Sequence, residues 1–148
     1  MAITKYNPRT IWLGGDQTIV NTVAGSGAIT PGMLLTRFDS SGAPKFKAHD
    51  SAAATGAIPF IIALNQPSLN KNYTDNYADG DLIEAGYGHK GSYYFVLVPS
   101  GVALVAGDGL ESAGDGKFRK VTSGTVLARV TQAYAPSATV PYARAEVV

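Results

Sequence analysis

Apolar residues along this chain recur mostly at every second position, in short runs broken by Gly, Pro, Asp, Asn and Ser about every ten residues. That spacing predicts strands, because successive side chains on a strand point to opposite faces. The clearest stretch is 125–133, where Val126, Ala128 and Val130 share one face and Leu127, Arg129 and Thr131 the other. In 92–98, Tyr93, Phe95 and Leu97 alternate with Tyr94, Val96 and Val98, so both faces are apolar and a central, doubly covered strand is predicted. Further strands are predicted at 18–23, 33–37, 45–48, 59–64, 82–85, 103–105 and 142–148. Helix is confined to a turn or two, at 49–54 or 72–77.

The breaks fit the same reading. Thr30-Pro31-Gly32 puts Pro where its fixed φ suits a turn and Gly where positive φ is cheap, so the chain should reverse just before Met33. Asp39-Ser40-Ser41-Gly42 and Asp115-Gly116 read as hairpin turns. Residues 65–81 hold four Asn, three Asp and two Tyr, which makes a long polar loop. Residues 1–17 show no alternation and read as an extended N-terminal arm ahead of a β domain at 18–148. The expected fold is therefore all-β, a compact barrel- or sandwich-like single domain with little helix.

Composition narrows the function classes. At 148 residues the chain has the size of one ordinary domain. It has no cysteine, which removes disulfides, thiolate metal sites and cysteine nucleophiles. Twelve Lys and Arg against eleven Asp and Glu leave a formal net charge of +1, so no strong field would draw nucleic acid or an anionic membrane. Charged residues make up only 16% of the chain while 45% are hydrophobic, so much of the surface is uncharged, as suits contact with another protein. The first residues lack a signal-peptide pattern, and no apolar run approaches the ~20 residues of a membrane-spanning helix. A soluble compartment is expected.

Candidate chemistry is sparse. Gly86-Tyr87-Gly88-His89-Lys90-Gly91 matches G-x-G-x-x-G, but a strand rather than a helix is predicted to follow, so a β-turn is the better reading. His49 and His89 lie in no short metal-ligand spacing. Ser100, between Pro99 and Gly101, lacks a G-x-S-x-G elbow. Asp75, Asp79 and Asp81, like Asp108, Glu111 and Asp115, could offer oxygens to Ca²⁺ but lack the dense spacing of a calcium loop, and turn acids are the plainer reading. No enzyme activity, cofactor or metal is expected. The scattered basic residues do not interleave with the eight Tyr and five Phe as a nucleic-acid platform would require. Trp12, in the low-charge stretch 10–15, is a candidate anchor on a partner, or else a staple of the arm onto its own domain. Tyr6, Ile11, Trp12, Leu13, Tyr73 and Tyr77 form the candidate partner-contact set.

Several segments, in order, resemble the small capsid decoration (cement) proteins of tailed bacteriophages. They are 29–35 (Ile29-Thr30-Pro31-Gly32-Met33-Leu34-Leu35), 62–65, 77–81, 102–116 and 124–130, and with the gaps between them they cover roughly 29 to 133. The most specific piece is Gly107-Asp108-Gly109-Leu110-Glu111-Ser112-Ala113-Gly114-Asp115-Gly116. The resemblance implies a β domain on the outer surface of an icosahedral head, with the major capsid protein as partner, a trimer or alternatively a dimer, no catalytic residues, and synthesis in the host cytoplasm. The arm and the 65–81 loop depart from that family's pattern. A phage tail, fibre or adhesin-like β module binding a host surface is the alternative, followed by a carbohydrate-binding module that would use Tyr73 and Tyr77 as an aromatic platform.

Overall fold

A computed structural model describes residues 10–66, 75–133, 135–136 and 141–148, and the domain it shows is all-β. Among the described residues eleven strands run in chain order: β1 (Trp12–Gly14), β2 (Gln17–Gly25), β3 (Leu35–Ser40), β4 (Ala43–Ala48), β5 (Ile61–Ala63), β6 (Leu82–Gly88), β7 (Tyr93–Leu97), β8 (Gly109–Ser112), β9 (Phe118–Lys120), β10 (Ala128–Val130) and β11 (Tyr142–Val147). One sheet has six strands in the order β1-β7-β11-β10-β8-β9, and the other has five in the order β3-β4-β2-β6-β5. Pairing is antiparallel throughout except between β2 and β4. Among the described residues there is no helix, and residues 49–54 hold only a turn with Ala53 at φ 48°.

β5 explains how two sheets become one domain. Ile62, with Phe60 and Leu64 beside the strand, enters the larger core, where they meet Tyr94, Val96, Leu110 and Phe118 of the six-stranded sheet. Ile61 and Ala63, one position out of phase, enter a second core with Val23, Leu35, Phe46, Ile83 and Ala85. The near-continuous apolar run 58–64 therefore reflects a strand covered on both faces. The five-stranded sheet curls around the second core, and its outer strands approach through the Leu34–Ile62 bridge and the bonds Gly32 N to Ala63 O (2.7 Å) and Ala63 N to Met33 O (3.0 Å). One bridge is not a ladder. The sheet stays open, so the sandwich-like expectation holds and the barrel-like one does not.

Most predicted strands are present, with shifted ends. β7 lies between β1 and β11, with Tyr94, Phe95, Val96 and Leu97 all buried, as the two-faced apolar pattern required. The stretch 125–133 contributes only Ala128–Val130 to a ladder, with Ala128 and Val130 inward and Arg129 exposed. Residues 103–105 form no strand. Leu104 alone makes an isolated bridge and turns inward.

Residues 10–17 do not project. β1 pairs with β7 at the sheet edge, Phe95 N donates to Ile11 O (2.8 Å), and Ile11 N donates to the Asn65 side chain (3.0 Å). The boundary expected between 17 and 18 falls inside β2. A strand of three residues is too short to display alternation, and so β1 was not foreseen.

Candidate interaction surface

Ile11 and Tyr77 are used inside the domain. Ile11 is fully buried in the larger core, and Tyr77 packs in the second core, where its hydroxyl donates to Leu64 O. Burial pushes the Tyr77 pKa up. Neither side chain is free to meet a partner in this fold, because each completes the packing beneath it. Tyr6 and Tyr73 lie outside the described residues. Of the six, Trp12 (40% exposed) and Leu13 are the ones the fold brings to an accessible place.

That place is the β1 edge of the six-stranded sheet. Leu13, Tyr93, Thr131, Gln132 and Arg144 line a groove of about 580 Å³. The Arg144 guanidinium stacks over the Phe95 ring at 5.7 Å, its register partner across β7 and β11. With Tyr93 and Trp12 both partly exposed on neighbouring strands, the groove joins aromatic surface to one cation.

A second surface was not foreseen. Between β7 and β8, residues 99–107 carry no charge, and Val102 and Val105 are 49% and 55% exposed. The loop is nonetheless held firmly. Val105 N donates to Asp108 Oδ2 (2.9 Å), Gly107 N to Val130 O (2.7 Å), Arg129 Nη1 to Gly107 O (3.2 Å) and Gly101 N to Pro136 O (3.0 Å). Leu104 plugs into the larger core beneath it. An anchored apolar loop loses little entropy when covered, which favours a binding surface. Its Val-Ala-Leu-Val run suggested a strand, and the missing signal was the Asp108 side chain that closes the turn.

The polar groups that could suggest chemistry are mostly structural ties. Asp79 Oδ1 accepts from Gly27 N (2.8 Å), Asp81 Oδ2 from Ala78 N (2.9 Å), and Asp115 Oδ1 from Lys117 N (3.1 Å). No group of three metal-ligating side chains occurs among the described residues. Gly86 and Gly88 belong to β6. A Cβ on Gly88 would come within 2.7 Å of the Phe60 ring, so close packing on the aromatic core explains that glycine.

Glu111 is the polar residue whose role the sequence hid. Its side chain is fully buried, and its carboxylate accepts from Arg119 Nε (3.0 Å), Thr122 Oγ1 (2.7 Å), Ser123 N (3.4 Å) and Gly124 N (2.5 Å). Burial alone would push its pKa up. The bonds from Thr122, Gly124 and Arg119 outweigh burial and hold it down at about 2. The carboxylate thus clasps the turn 122–124 against β8. Beside it, Ser112 Oγ lies 2.9 Å from His49 Nδ1 and accepts from Gly114 N (3.2 Å). Burial pushes the His49 pKa down. Both side chains are buried, and the serine hydroxyl is pinned from two sides rather than presented to a cleft.

With this geometry in place, comparison with known proteins finds solved structures of similar shape. The chain matches the N base of the head fibre gp8.5 of bacteriophage phi29, with a TM-score of 0.61 and 11% identity, over 90% of this chain and 95% of that one. The two chains share a fold. No protein-family model matches the sequence, and no curated protein sequence matches it. At 11% identity the likeness concerns the path of the backbone; the groove residues and the apolar loop are features of this chain.

Proposed function

We propose that this chain is a capsid decoration protein of a tailed phage, which binds the outer surface of the icosahedral head, contacts the major capsid protein and ties neighbouring capsomers together. The observation that carries the proposal is the fold shared along nearly the whole chain with a protein described as the base of a phage head fibre. The Gly107–Gly116 block adds to it. That block forms β8 and the turn into β9, so the most family-like residues are those that build the Glu111 clasp and the base of the apolar loop.

The work of such a protein is adhesion, not turnover. A packaged genome pushes the shell outward, and a bridge between capsomers makes separation require the loss of its contacts as well. The uncharged loop 99–107 and the groove beside Trp12 and Leu13 supply surfaces of the kind an ordinary interface uses. If protomers associate, as a trimer or a dimer, their attachments act together and avidity replaces strong single contacts. No nucleic acid, membrane or cofactor has a part in this reading.

A second reading is favoured by the same comparison. The related fold is the base of a fibre, so this chain could instead seat a fibre or adhesin-like module that meets a host surface. Mixing the purified protein with undecorated immature and mature heads and imaging both separates the two. Occupancy near the capsid copy number supports decoration, and a few copies per particle support the fibre reading. No attachment to either shell would refute both. A variant carrying Val102→Asp and Val105→Asp should bind heads at least about tenfold more weakly, since each charge would be buried unpaired at the contact.

A further inference from the structure

Beyond the Leu34–Ile62 bridge, the β3–β4 hairpin leaves the outer margin of β3 unpaired. Its two turn residues, Ser41 and Gly42, both have positive φ (54° and 84°), which makes Ser40 and Ala43 the hydrogen-bonded pair that closes the hairpin. Bonded and non-bonded pairs then alternate, so Phe38–Lys45 and Thr36–Lys47 are bonded pairs too. His49 N donates to Leu34 O at 2.9 Å one step further along, as that alternation requires. The N–H and C=O groups of Arg37 and Asp39 consequently point away from β4, along the part of the edge beyond Leu35, which lies against β5 at the Leu34–Ile62 bridge.

The side chains on this edge are unusual in sign and spacing. Arg37 and Asp39 are both exposed, and neither is in an ion pair among the described residues. Asp39 accepts from Gly42 N through Oδ2 (3.3 Å), which leaves Oδ1. Beside Leu35, Thr36 and Arg37 lies a cleft of about 310 Å³, whose other wall includes His49, Ile58 and Ile61.

We propose that two copies of this chain pair through their β3 edges, antiparallel, about a two-fold axis at Phe38. In that register Arg37 lies opposite the partner's Asp39 and Asp39 opposite the partner's Arg37, on one face of the extended sheet. These are the residues whose backbone groups point outward, so they meet as bonded pairs. Phe38 meets its own counterpart as the non-bonded pair, where side chains come closest. Sliding by one residue would set outward backbone groups against inward ones. Sliding by two would set Arg37 against the partner's Arg37, or Asp39 against the partner's Asp39. Charges on a sheet edge ordinarily discourage pairing, and these two discourage the registers slipped by two residues either way. The hairpin tip, Ser40-Ser41-Gly42, would then enter the cleft beside Leu35 of the other copy, where its small side chains fit.

The contact is isologous, so it closes a dimer and cannot by itself build a three-fold ring. It does not depend on what the chain attaches to.

Sedimentation equilibrium of the full chain from micromolar to millimolar concentration tests it. The expected result is a mass rising from 15.4 kDa toward twice that value. Arg37→Asp and Asp39→Arg should each weaken association by about tenfold, since each turns two attractive cross-strand pairs into repulsive ones. The double exchange, Arg37→Asp with Asp39→Arg, should restore it. Circular dichroism checks the fold of each variant, and Arg37→Ala, with a loss of about threefold, replaces Arg37→Asp if that variant does not fold. A chain monomeric at every concentration overturns the proposal, as does association indifferent to the single variants or not recovered in the double exchange.

Discussion

The β3–β4 and β8–β9 hairpins are both short antiparallel pairs joined by tight turns, and they put their polar side chains to opposite uses. β8 is buried along its whole length, and Glu111 is fully enclosed with a donor aimed at each carboxylate oxygen. β3 alternates in exposure, and its charges at Arg37 and Asp39 face solvent. A buried charge has to be satisfied within the chain, so Glu111 specifies one arrangement of the turn after β9. An exposed charge is already satisfied by water and remains available to another molecule.

That contrast predicts unequal costs for similar substitutions. Phe118→Ala, in the larger core on β9, should lower unfolding free energy by about 3–5 kcal/mol in denaturant melts, whereas Phe38→Ala on β3 should cost no more than about 1 kcal/mol. Equal losses would mean that β3 is buried in the molecule as it exists in solution. Glu111→Ala should cost about 3 kcal/mol, because Arg119, Thr122 and Gly124 lose their acceptor together. Arg37→Ala and Asp39→Ala should each stay within about 0.5 kcal/mol when measured below any association.

Acid sharpens the same comparison. The folded pKa of Glu111 is held at about 2, below its ordinary value of 4.5, so the folded state binds fewer protons than the unfolded chain in that interval. Its stabilisation is present above pH 4.5 and is lost as the pH falls toward 2, and a Glu111→Gln variant should show a shallower loss over that range in acid titrations followed by tryptophan fluorescence. His49 acts at higher pH with the same sign. Its pKa is pushed below 6.5 by burial, so stability should decline as the pH falls through 6.5, and His49→Gln should remove that part of the slope. The smallest effect expected in the β8 group is Ser112→Ala, about 1 kcal/mol, from the bonds to His49 and Gly114.

Much of the fold was legible in local pattern. β7 was foreseen as a strand covered on both faces, β5 was foreseen as a strand without that role, and the 41–42 turn was readable because Asp-Ser-Ser-Gly favours positive φ locally. Three short strands were not. β1, β8 and β9 have three or four residues each, and β8 interrupts its apolar run with Glu111 and Ser112, which reads as a turn until partners are supplied from residues 49, 119 and 122–124. Trp12 and Leu13 reach the surface, but Ile11 and Tyr77 resemble anchors in composition and sit in the cores.

Side-chain alternation, turn chemistry and low charge follow from each residue's own preferences and its near neighbours, and they were enough to require an all-β domain with a sparsely charged surface. Which strands lie side by side is a different matter. The parallel contact of β2 with β4, the curl that stops at a single Leu34–Ile62 bridge, the burial of Ile11 and the enclosure of Glu111 all join residues distant along the chain. Such pairings are settled by how two apolar faces are best covered at once, and that depends on the whole packed molecule rather than on any one segment.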